Sequence, residues 1–77
     1  MNLIKINVAN AGNGSIFVNP DLVSSIDVKT LNKNFVVVLT LLSGSRYNLA
    51  DNTNVSIFET EADANVFLES VVAQLNL

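Results

Sequence analysis

NFVVVLTLL, residues 34–42, is the longest apolar run in the chain and decides how the rest is read. Three consecutive β-branched residues, Val36, Val37 and Val38, disfavour a helix and favour a strand. In a strand, Phe35, Val37, Leu39 and Leu41 point to one side and Val36, Val38, Thr40 and Leu42 to the other. Both faces are therefore apolar, in a chain of only 77 residues. The strand poses a question of cover: one face can pack against the rest of the chain, and the second needs a partner.

The flanking sequence supplies short strands. LIKINV, residues 3–8, alternates, with Ile4, Ile6 and Val8 on one side, as a half-buried strand does. NAGNG, residues 10–14, has the glycines and asparagines of a hairpin turn, and SIFV, residues 15–18, is the returning strand. Pro20 ends that strand in the turn Asn19-Pro20-Asp21. A third strand is expected from Leu22 to Lys29, with Ile26 and Val28 on one face and Asp27 and Lys29 on the other. TLNKN, residues 30–34, is the turn into the opening stretch. Ser43-Gly44-Ser45 is the turn out of it, toward a strand over residues 46–49 with Tyr47 and Leu49 inward. Residues 50–54 form a loop, and Val55–Phe58 a short sixth strand.

The last segment reads as a helix. Thr60-Glu61-Ala62-Asp63 is a capping box with Asp in the usual Glu position. Ala64, Phe67, Leu68, Val71 and Leu75 then recur at one-face helical spacing to about Asn76. The order β-β-β-β-β-(β)-α with short connections predicts a single α+β domain. Its expected form is a strongly bent antiparallel sheet of five or six strands with one C-terminal helix across it. A PH-like or SH3-like partial barrel is the alternative geometry.

One helix covers one face of such a sheet. The second face of residues 36–42 is covered either by curling of the sheet on itself or by another copy of the chain. Val36, Val38 and Leu42 are each worth roughly 1.5–3 kcal/mol if fully buried, so this face matters to a small domain. The expected interface comprises Val36, Val38, Thr40 and Leu42, with a minor apolar patch of Ala62, Val66 and Ala73 on the helix. A domain this small commonly needs a disulfide, a metal or oligomerisation. With no Cys and no His, disulfides are excluded and a zinc site would have to be all carboxylate. Charged residues make up 14% of the chain, against about 25% in typical domains. Twelve Asn fill the deficit. AT-rich coding accounts for the Asn excess, and a covered surface accounts for it too, because interface cores are poor in charge.

Composition also limits chemistry. Without His or Cys the commonest general base and the best thiol nucleophile are missing. No catalytic residue, cofactor or metal is therefore expected, and the chain reads as a non-enzyme. Gly12-Asn13-Gly14 is followed by a strand rather than a helix, so it is a hairpin turn and not a phosphate loop. Asp51-Asn52-Thr53-Asn54 fails the calcium-loop spacing, since its sixth and twelfth positions are Ser56 and Ala62 rather than Gly and Glu. Glu59, Glu61 and Asp63 are explained by helix capping. Lys29, Lys33, Phe35 and Arg46 form a candidate contact for single-stranded nucleic acid, combining cations with an aromatic ring. A net charge of −3 with only four basic residues weighs against nucleic acid and against anionic membranes. MNLIKINVAN lacks the apolar core of a signal peptide, so a cytoplasmic location, or assembly into a phage particle, is expected. The sequons Asn13-Gly14-Ser15 and Asn54-Val55-Ser56 are then chance.

Three segments, FVNPDLVSSIDV (17–28), VVLTLLSGSRYNL (37–49) and FETEADANVFLES (58–70), carry a resemblance. The layout resembles small FlbD-type proteins of bacterial flagellar operons, at Asn19, Asp21, Val23, Ile26, Leu41, Gly44, Tyr47 and Leu49. The longer N-terminal hairpin and the DNTNVSI insertion, residues 51–57, depart from that pattern. The charge-poor, Asn-rich composition is also similar to small uncharacterised phage proteins. The resemblance implies a small α+β adaptor-like module and transfers no catalytic residue. The resulting expectation is a self-associating structural or adaptor protein of bacterial or phage origin. A weak single-stranded nucleic-acid-binding regulator is the alternative.

Overall fold

A computed structural model describes residues 2–9 and 14–77. The NAGNG turn lies outside the described residues except for Gly14, and so do Gly12 and Asn13. Five strands and one helix follow in chain order: β1 (Ile4–Val8), β2 (Gly14–Val18), β3 (Val23–Leu31), β4 (Asn34–Leu41), β5 (Arg46–Asn48) and α1 (Glu61–Leu75). A single 3₁₀ turn, Pro20–Leu22, separates β2 from β3, and the Asn19 side chain caps it by accepting from the Asp21 N–H at 3.0 Å. The fold is α+β, as the sequence predicts.

One bent sheet was the expectation; two antiparallel sheets are found. β1 pairs with β2, and β3-β4-β5 form a three-stranded sheet with β4 in the centre. The sheets meet at one bridge, Val8 opposite Leu49, where Ala9 N–H donates to Asn48 C=O and Ala50 N–H to Asn7 C=O. No closed barrel results. The partition arises because β5 ends at Asn48 and β1 joins it only through the Val8 bridge to Leu49, whose own N–H still donates to Val37 C=O of β4. The expected sixth strand is also reduced. Phe58 alone bridges Phe35, exchanging two backbone hydrogen bonds of 2.8 Å, and Ile57 stays exposed.

The β3–β4 hairpin is tighter and longer than TLNKN suggests. Leu31 pairs with Asn34, leaving Asn32 and Lys33 as a two-residue loop with φ of 48° and 70°. Positive φ at both central positions is the type I′ geometry, whose twist matches that of paired strands. The β4–β5 turn places Gly44 at φ 94°, a conformation L side chains rarely adopt.

The core covers one face of β4. Val37 and Leu39 are fully buried with Ile6, Val8, Val18, Leu49, Ala64, Val71 and Leu75. Phe35, Leu41, Ile26 and Val28 pack against that cluster. The helix contributes the predicted stripe. Ala64, Val71 and Leu75 are buried and Phe67 and Leu68 half-buried. Phe67 stacks on Phe58 with ring centroids 5.3 Å apart. Thr60 caps the helix by accepting from the Asp63 N–H at 3.1 Å. At the other end Asn76 turns left-handed, with its N–H bonded to Ala73 C=O and that of Leu77 to Val72 C=O. These are the two bonds of a Schellman stop, with Asn in the glycine position.

Candidate interaction surface

Cross-strand partners point to the same side of a sheet, so the register defines the outer face, away from the helix. On β4 it carries Val36, Val38 and Thr40; opposite them on β3 stand Lys29, Asp27 and Ser25. Val38 and Thr40 face Asn48 and Arg46 on β5. Val36 and Val38 are only 6% and 8% exposed, although neither belongs to the core cluster. Lys29 stands opposite Val36, and Asp27 and Asn48 stand on either side of Val38. The face expected to need an external cover is thus sheltered within its own subunit at Val36 and Val38. Thr40 is half-buried, and Leu42, past the end of β4, is 67% exposed.

Ala62, Val66 and Ala73 are exposed, Val66 at 70%. They lie on the helix surface turned away from the sheet. The helix packs on the inner face, so these residues and the β4 outer face look in opposite directions. The structure does not join the two halves of the expected interface into one patch.

The candidate nucleic-acid contacts are not brought together either. Phe35 pairs with Thr30 and packs toward the core, so its ring does not join Lys29 on the outer face. Lys33 is in the hairpin turn. Arg46 is opposite Thr40 and Lys29 opposite Val36, which separates them by roughly 15 Å or more at strand spacing. The four candidates therefore form no cation–ring cluster; a cation does stand opposite an exposed ring elsewhere, Lys5 across from Phe17 in the β1–β2 hairpin.

Asp51 organises the loop after β5. Its Oδ1 accepts from the Thr53 hydroxyl at 2.7 Å, the Thr53 N–H at 2.8 Å and the Val55 N–H at 2.9 Å. The hydroxyl bond and then the Val55 amide favour the charged form, holding this carboxyl below its ordinary value. Asp51 thus has a structural role in the stretch that superficially resembles a calcium loop. Among the described residues no group of three or more His, Cys, Asp or Glu side chains is placed to hold a metal. A cleft of about 450 Å³ opens between β1, this loop and α1, lined by Lys5, Asn7, Asp51, Asn52, Ser70 and Gln74. Several of its polar groups are engaged: Asn7 Nδ2 donates to Asp51 C=O at 3.3 Å and Gln74 Nε2 to Lys5 C=O at 3.1 Å. No helix is long and apolar enough to cross a membrane among the described residues.

The feature that sequence reasoning missed is the outer edge of β3. On β4, Phe35, Val37 and Leu41 direct backbone groups toward Phe58, Leu49 and Ser45. By alternation, Val36, Val38 and Thr40 direct theirs toward Lys29, Asp27 and Ser25 of β3. Ile26, Val28 and Thr30 must then turn N–H and C=O away from β4. Among the described residues no strand borders that side. The signal was present in the sequence: nine residues without Gly or Pro, ending the third segment two positions later than its alternation suggests. Comparison of the chain with protein-family models, with curated proteins and with solved structures finds no match in any of the three.

Proposed function

We propose that the chain is a non-catalytic, self-associating structural or adaptor module of bacterial or phage origin. One observation carries the reading: β3 presents a long, unpaired row of backbone donors and acceptors at the margin of the three-stranded sheet. An open strand edge is a template for pairing with another chain. The absence of His and Cys from the sequence supports a binding rather than a catalytic role. The layout shared with FlbD-type proteins supports an adaptor-like module.

Sedimentation velocity from micromolar to millimolar concentration tests the reading. A weight-average mass rising above that of one chain is expected. The variant Thr30→Pro removes an edge-facing N–H and lowers association, while Val38→Lys on the outer face does not. A monomer at every concentration overturns the proposal. Salt-sensitive oligonucleotide binding by that monomer would put the nucleic-acid reading in its place.

A further inference from the structure

We infer that two copies of the chain pair through β3 in one antiparallel register, centred on Val28, with Asp27 of each copy opposite Lys29 of the other. The inference rests on the self-association reading and specifies its geometry.

Backbone direction limits the choices. Antiparallel ladders bond residues that both point toward the partner strand. Only Ile26, Val28 and Thr30 of the regular strand do so, so a symmetric pairing must be centred on a residue rather than between two. Charge then discriminates. A centre on Asp27 sets Asp27 against its own copy, and a centre on Lys29 sets Lys29 against its own copy. Like charges directly opposite are destabilising. A centre on Val28 sets Asp27 opposite Lys29 twice, by symmetry.

Strand length points to the same centre independently. The β3–β4 register slips between Val23 and Ser25, so the regular part of β3 runs from Ser25 to Leu31. Val28 is its middle residue. The Val28 register therefore uses the whole regular strand, pairing Ser25 with Leu31, Ile26 with Thr30 and Val28 with Val28. Burial agrees. Ile26 and Val28 pack on the core yet remain only half-buried, and Leu31 is 41% exposed. Pairing would cover what the edge leaves open and turn two three-stranded sheets into one of six strands. The other free edge among the described residues, β2, is five residues long and holds no charged residue.

The chain contains no cysteine, so disulfide trapping reads the register against a clean background. Asp27 and Lys29 form the non-hydrogen-bonded pair of this ladder, with Cα atoms roughly 4.5 Å apart, inside the range a disulfide accepts. Asp27→Cys and Lys29→Cys are made as separate chains, one isotope-labelled, and oxidised alone and mixed. Covalent dimers with one chain of each kind are expected from the mixture, and none from either variant alone. Asp27→Lys should weaken dimerisation about tenfold or more by setting Lys against Lys29 twice. Adding Lys29→Asp to the same chain should restore it. A wild-type dimer whose cysteine variants link to themselves, or which is indifferent to charge reversal, overturns this register and leaves self-association standing. A wild-type chain that stays monomeric overturns both.

Discussion

Lysine placed at two adjacent positions of β4 separates its faces by consequence rather than by appearance. Val37 is fully buried in the core, while Val38 is 8% exposed on the outer face between Asp27 and Asn48. Val37→Lys drives an ammonium into an apolar cluster, which costs several kcal/mol even after relaxation, and overpacking adds about 1–3 kcal/mol. A chain of this size has roughly 4–12 kcal/mol of total stability at the usual value per residue. The variant should therefore be largely unfolded. Val38→Lys forfeits about 1.5 kcal/mol of valine burial, the low end of the range for a small apolar side chain. Part returns because the lysine stem lies along the sheet while its ammonium reaches water. A further ~0.2–1 kcal/mol returns from the cross-strand pair with Asp27. The net loss is about 1 kcal/mol, a fall in Tm of roughly 4–8 °C for a domain of this length. Urea denaturation followed by circular dichroism, with a heteronuclear NMR spectrum of each variant, measures both. Two equally damaged variants, or a folded Val37→Lys beside an unfolded Val38→Lys, would refute this assignment of the two faces.

Three further substitutions test local devices. Thr60→Ala removes the acceptor for the Asp63 N–H and should cost about 0.5–2 kcal/mol in urea titrations. Lys33→Gly should raise stability by roughly 1 kcal/mol, because Lys33 holds φ 70° in the type I′ turn and pays the side-chain penalty there. Asp51→Ala should expose the Ala50–Val55 loop to faster amide exchange, since one oxygen anchors two of its N–H groups. Asp51 also links stability to acidity: its folded carboxyl lies below the ordinary value of 3.8, so the unfolded chain binds the proton more readily. Its contribution is complete above that value and is lost as pH falls through the folded one. Unfolding measured across this acidic window should show a shallower decline for Asp51→Ala than for the wild type.

The helix was legible to within about one residue at its C-terminal end, because its N-terminal cap and apolar spacing are local signals. The strands were legible as strands for the same reason, through alternation and turn chemistry. The partition into two sheets was not, because it depends on how little β1 shares with the segment after β5, a single Val8–Leu49 bridge between residues far apart in sequence. The need of β4 for a cover was overstated on its outer side. Counting apolar residues on one strand leaves out how far the rest of the subunit already buries Val36 and Val38. The β3 edge escaped notice because an edge is a property of strand order, and strand order is settled by contacts far apart in sequence.

The narrow seam between the two sheets bears on how the chain reaches its native state. The hairpin β1–β2 and the meander β3-β4-β5 each close short loops and form early, whereas Val8 meets Leu49 only after a long intervening segment has been ordered. Their docking is therefore the step expected last on the folding route. Disturbances at the seam should hasten unfolding while leaving the rate of collapse into the two halves nearly untouched.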